Sequence, residues 1–109
     1  MPPLEPRNHR ITVAAAAGYT KRLRAATAGK VREGHWGHCF HGDQVLALLA
    51  QKGCTALRIY HGHDAEGRQT VVLVGVNDQG ADMVSTTDTI LETGWPCPPF
   101  CDPDSPLAK

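Results

Sequence analysis

Apolar positions along the chain fall into blocks with two different periods. From Thr12 to Ala28, alanines, Tyr19 and Leu23 recur at helical spacing, with Lys21, Arg22 and Arg24 on the wet side. That predicts a first helix, capped by Thr12 and weakened by Gly18. "GKVREGHWGH" follows as a loop. A second helix is predicted over "QVLALLAQK", with Val45, Leu48 and Leu49 on its apolar face. Asp43 stands ahead of it as N-cap, and Gly53 behind it suits the left-handed closing position. The period then changes to two. "TALRIYHG" alternates, Leu57 and Ile59 against Arg58 and Tyr60, as a half-buried strand does. "QTVVLVGV" is apolar on both faces and so predicts a central strand. "DAEGR" and "NDQG" read as the turns on either side of it, and "ADMVS" as a short third strand. "TTDTILETG" fits either a short helix after Asp88 or an irregular return. The expected fold is α+β: two helices followed by a three-stranded antiparallel β-meander.

The prolines are segregated. Pro2, Pro3 and Pro6 open the chain; Pro96, Pro98, Pro99, Pro103 and Pro106 close it; none lies between. This divides the sequence into an extended N-terminal arm (1–7), a folded body (8–93) and a Cys/Pro-rich C-terminal arm (94–109). A chain of 109 residues with a hydrophobic share of 41% is sized for one domain with a modest core. Net charge is zero, which removes any general pull toward nucleic acid or an anionic membrane. Charge is nevertheless uneven. Residues 1–55 carry eight Lys/Arg and three Asp/Glu, and residues 56–109 carry three and eight. Such halves read first as ordinary solvated faces; in the sharper reading they face each other within a fold or between copies, which suits a protein partner or a homo-oligomer. Neither a secretory leader nor a stretch able to span a bilayer is visible, so the expected compartment is the cytoplasm, where thiols stay reduced.

Six histidines and four cysteines supply the candidate chemistry. His35, His38, Cys39 and His41 crowd one loop, and His61 and His63 share a face if the first strand extends that far. Imidazole and thiolate are zinc's preferred ligands, so these six residues are a candidate site for zinc or another transition metal, although the spacing matches no standard finger. Cys97-Pro98-Pro99-Phe100-Cys101 has two thiols around prolines that lack the N–H groups of a metal knuckle. Its thiols can pack as small hydrophobes, pair with a body thiol such as Cys54, or face a partner. Trp95 and Phe100, with Pro98 and Pro99, make the arm an interaction element. Two such rings can bury on the order of 300–400 Å², roughly 8–10 kcal/mol gross. They are therefore expected to dock somewhere dry. No catalytic residue is assigned: Cys39, His41 and Asp43 can be drawn as a nucleophile set only because they share a loop. Phosphate-loop and nucleophile-elbow patterns are absent. The basic set Lys21, Arg22, Arg24, Lys30 and Arg32 lacks interleaved aromatics.

The run "LLAQKGCTALRIYHGHDAEGRQTVVLVGVNDQGADM" and the terminal "CPPFC" resemble a group of small uncharacterised bacterial proteins. These combine an "HCF"-like loop, an "LLAQKGC"-like helix end, "RIY" and "VLVGV" strands and a cysteine-proline terminus. The resemblance spans residues 38–101, implies no activity, and singles out Cys54, Cys97 and Cys101. The resulting expectation is a small non-catalytic interaction or self-assembly module. Its C-terminal arm would dock on its own body, a copy or a partner. The alternatives are a metal- or thiol-binding protein and a peptide-maturation substrate with a modified cysteine tail.

Overall fold

A computed structural model of the chain describes residues 4–27 and 36–108. In chain order the elements are α1 (Val13–Thr27), β1 (Gly37–Cys39), α2 (Gly42–Leu49), β2 (Ala56–His63), β3 (Gln69–Val76), β4 (Ile90–Leu91) and β5 (Trp95–Cys97). They form an antiparallel sheet ordered β2-β3-β4 and a separate two-stranded ribbon, β1-β5. The fold is α+β, with the apolar "VLVGV" strand in the middle of its sheet.

The β2–β3 hairpin is in register from Ala56↔Val76 to His63↔Gln69. Its turn is built on Asp64, whose carboxylate accepts the backbone N–H groups of Glu66 (3.0 Å) and Arg68 (2.9 Å). The next turn repeats the device: the Asn77 side-chain oxygen accepts from Gln79 (2.9 Å) and Ala81 (3.0 Å). Gly67 and Gly80 occupy the left-handed positions that close the two turns. Beyond the second turn, "ADMVS" does not become the expected strand. Asp82 makes one isolated bridge to Val76, and Met83 N–H reaches the Gly75 carbonyl. The third strand is Ile90–Leu91 instead, taken from the stretch read as helix or return. A chain leaving a tight turn after Val76 covers only the end of β3. The later apolar pair Ile90-Leu91 lies opposite Val74 and Leu73 and seals the middle.

Among the described residues, four hydrophobic side chains are buried: Leu48, Leu73, Val74 and Val76. Leu48 comes from α2, whose first residue is Gly42. The N-cap position falls to His41, without a side-chain cap bond, rather than to Asp43. Asp43 sits inside the first turn, where its charge favours the helix N-terminus. The far end of α2 meets the sheet at Gly75. A Cβ built there would lie 2.9 Å from Cys54 Sγ and 3.3 Å from Gln51 Nε2, so only glycine admits this approach. Gln51 fixes the junction by donating to the Leu48 carbonyl (2.8 Å) and accepting Thr89 N–H (2.6 Å).

The first helix follows the sequence closely, and Thr12 Oγ1 caps it by accepting Ala15 N–H at 3.1 Å. Its expected apolar face differs: no residue of α1 is buried, and Tyr19 and Leu23 stay exposed. Alanine is a strong helix former but offers little area to bury, so propensity rather than packing holds this helix. Among the described residues, no helix is long and apolar enough to cross a membrane.

Candidate functional site

Two features of the body stand out. One is an apolar groove of about 420 Å³ on the α2 side of the hairpin. Leu57 and Ile59 of β2, Val71 and Leu73 of β3, Val45 of α2, and Leu23, Trp36 and Phe40 line it. Period-two alternation puts Leu57, Ile59 and His61 on that face, as the sequence predicted. The hairpin pairs them with Gly75, Leu73 and Val71. The other is the outer edge of β2. This eight-residue strand pairs with β3 on one side and with nothing among the described residues on the other. Asp64 N–H donates to the Arg68 carbonyl at 2.8 Å, which sets the phase of the ladder. Even-numbered β2 residues bond toward β3, leaving the backbone groups of Leu57, Ile59 and His61 directed outward. Leu57, Ile59 and Tyr60 are exposed on this strand.

Sequence reasoning missed the partner of the polar face of β2. The Asp82 carboxylate accepts both the Tyr60 hydroxyl and the Arg58 guanidinium. The hydroxyl bond, aided by the cation, holds Asp82 below its ordinary pKa, and the same contacts raise those of Tyr60 and Arg58. The one formal charge within β2 is thereby neutralised. Asp82 bridges Val76 of β3 and reaches across that strand to Arg58 and Tyr60, a contact between non-adjacent segments that carries no local signal in the sequence. Glu92, in the return, is likewise held below its ordinary value, first by the Thr70 hydroxyl (2.8 Å) and then by Thr93.

The C-terminal arm docks in cis. β5 pairs antiparallel with β1: Gly37↔Cys97, His38↔Pro96 and Cys39↔Trp95. The Trp36 N–H adds a bond to the Cys97 carbonyl at 2.6 Å, and Phe100 N–H turns back to the Pro96 carbonyl at 2.8 Å. That turn brings the two tail thiols together as a Cys97–Cys101 disulfide. Two expectations change here. The tail cysteines pair with each other because a five-residue turn joins them. Cys54, the expected partner, is a free thiol beyond the C-terminal end of α2, against Gly75. Trp95 and Phe100 are not dry: they stack edge to face at 5.1 Å yet remain 47% and 56% exposed. The arm is held to the body by backbone pairing with β1, while the disulfide and the ring pair tie the arm to itself, the rings covering each other more than the core.

The histidines are dispersed. His38 and His61 share the groove, and His63 stands at the end of β2. His41 meets Trp95 edge-on at 6.1 Å. Cys39 lies on the ribbon face opposite to His38, as adjacent strand residues must. His35 lies outside the described residues. Among those described, no three His, Cys, Asp or Glu side chains gather to hold a metal ion. The Cys39, His41 and Asp43 set does not assemble either: the Asp43 carboxylate accepts Gln44 N–H at 2.9 Å while His41 faces Trp95. Of the basic residues, Arg22 lies over Tyr19 at 5.6 Å and Arg24 over Trp36 at 5.9 Å, and Lys30 and Arg32 fall outside the described residues. Protein-family models, curated proteins and solved structures were compared with the chain, and none matches.

Proposed function

We propose that this chain is a cytoplasmic self-association module whose contact is the open edge of β2. The observation that carries the reading is an eight-residue strand with one unpaired edge among the described residues and three exposed hydrophobics, Leu57, Ile59 and Tyr60. Isolated edges are normally blunted by lysine, proline or inward charge. β2 contains neither lysine nor proline, and its one cation, Arg58, is already paired with Asp82. A second copy is the occupant this edge suits best. Two antiparallel β2 strands related by a twofold axis present identical, self-complementary edges and meet without a net like charge. A strip of eight residues buries on the order of 500 Å² per copy, about 1,000 Å² in all. That is the lower limit for a specific interface, so a weak and reversible dimer is expected.

The test is sedimentation equilibrium over a concentration range, at low and high salt. A reversible monomer–dimer equilibrium, weakened at least about tenfold by Ile59→Lys, is expected. Ile59 is 53% exposed, so this substitution leaves the buried core intact. A strict monomer at all concentrations, or a dimer indifferent to Ile59→Lys, overturns the reading. So does protection of the β2 edge only when a foreign extended peptide is added, which would make the occupant a partner.

A further inference from the structure

The two-stranded ribbon brings together three sulfurs that the self-association reading does not use. Residues directly opposite on antiparallel strands project to the same face, and so do alternate residues of one strand. Gly37 lies opposite Cys97, and Cys39 lies opposite Trp95. Gly37, Cys39, Trp95 and Cys97 therefore share one face, with Cys39 diagonal to Cys97. Diagonal neighbours on such a ladder stand about 7–8 Å apart at Cα and closer at Cβ. The position directly opposite Cys97 is a glycine, and a Cβ built there meets nothing within 4 Å. The corner of the ladder beside Cys97 thus carries no side chain of its own. Cys39 is exposed and unbonded, Cys97 is bonded to Cys101, and all three line one cavity of about 310 Å³.

We propose that Cys39, Cys97 and Cys101 form a thiol–disulfide exchange site that is open to small thiols and disulfides. The Cys39 thiolate attacks Cys97 Sγ along the diagonal. A Cys39–Cys97 bond forms, the Cys97–Cys101 bond breaks, and the electron pair leaves on Cys101 as a thiolate. No oxidant or reductant is consumed: one disulfide and one thiolate are present before and after. A disulfide between Cys39 and Cys97 requires their Cα atoms to approach by about 1 Å, because bridged residues stand within about 7 Å. β5 is three residues long and pairs only with β1, so it can make that shift without disturbing the larger sheet. The released Cys101 is the outermost of the three in the chain. It lies between Phe100 and Asp102, both exposed, where an incoming small disulfide can meet it. In a reducing compartment a disulfide that persists usually takes part in exchange or sensing, which is the use assigned here.

The test uses glutathione disulfide as the probe on Cys101→Ser. The Cys97 thiolate attacks it, forming a Cys97–glutathione mixed disulfide and releasing one glutathione thiolate. Cys39 then attacks Cys97 Sγ and expels the second glutathione, leaving a Cys39–Cys97 bond. Intact mass followed by peptide mapping reads each state. The expected result is a transient adduct giving way to the Cys39–Cys97 bond, with an adduct at least about tenfold longer-lived when Cys39→Ser is added. Adding Cys54→Ser instead should change nothing, since Cys54 lies at the Gly75 junction. A Cys101→Ser adduct that persists as long as that of the double variant overturns the proposal, as does stabilisation by Cys54→Ser. The full-length chain with all four cysteines supplies a second reading that does not depend on the variants. Held at mildly alkaline pH and then acid-quenched, it should yield a Cys39–Cys97 peptide beside the Cys97–Cys101 one. Its absence also overturns the proposal.

Discussion

The three-stranded sheet and the two-stranded ribbon are both antiparallel, yet they are held together by different physics. The sheet has the buried hydrophobic side chains found among the described residues: Leu73, Val74 and Val76 on β3, with Leu48 of α2 pressed on it. The ribbon has none. Its strands of three residues are joined by backbone bonds, and a disulfide and a pair of rings that remain about half exposed fold the β5 side back on itself. A core responds to loss of volume, because packing and transfer energies are summed over many atoms. A ribbon of this kind responds to loss of its links, and its response stays local. The comparison yields three measurements, each setting a change in one region against the other.

The largest effect belongs to the core. Leu48 is fully buried. Leu48→Ala is expected to cost about 3 kcal/mol, within the usual range for a buried leucine. With four buried hydrophobic residues among those described, the reserve is small, so chemical denaturation should show a large fall in midpoint. Hydrogen exchange of β3 amides should accelerate along with those of β1, because the ribbon hangs on the same folded body. An unchanged midpoint would mean that α2 is not the clamp on the sheet.

How far the sequence disclosed this division depends on which signal each region uses. Period-two alternation in "TALRIYHG" and the doubly apolar "QTVVLVGV" are local signals, so strand order and the groove face of Leu57 and Ile59 could be read directly. The two turns were equally legible, since Asp64 and Asn77 act on backbone groups within four residues. β4 was not legible. Ile90-Leu91 is too short to show a period, and its place is decided by the open flank of β3. The ribbon escaped for a related reason. β1 and β5 are 55 residues or more apart, each three long, and β5 contains a proline, which normally argues against a strand. Pro96 is tolerated because β5 is an edge, needing its donors on one side alone. The metal set is not gathered among the described residues. Counting histidines ignores facing, and alternation separates Cys39 from His38 on opposite sides of the same strand.

The second measurement concerns the junction between α2 and the sheet. Gly75→Ala places a methyl 2.9 Å from Cys54 Sγ, inside van der Waals contact. Cys54 is a short side chain, and Gln51, next to it, is committed to Leu48 and Thr89. Neither can move aside freely, so a cost of about 2 kcal/mol is expected. Pairing it with Cys54→Ala should restore about half of that loss, because the nearest atom is gone. Thermal melts of the two single variants and the double variant complete the cycle. Strict additivity would show that Cys54 does not form the wall against β3.

The smallest effect, and the one that separates the regions most sharply, comes from the equivalent close approach in the ribbon. A Cβ at Gly94 would lie 2.8 Å from Cε1 and Cζ of Phe40 and 3.1 Å from the His38 Cβ. The contact is as tight as the one at Gly75, but its setting differs. Phe40 presents the far edge of a ring that also borders the groove, and a ring there can swing into about 420 Å³ of open space. Gly94→Ala should therefore cost about 1 kcal/mol or less and leave the main transition nearly unchanged. The damage should appear where β1 meets β5. The amide of Trp36, which donates to the Cys97 carbonyl, should exchange faster, while amides of β3 keep their protection. If Gly94→Ala instead lowers the global midpoint as far as Gly75→Ala does, the ribbon is part of the cooperative core. The distinction between a packed sheet and a linked strap would then fail.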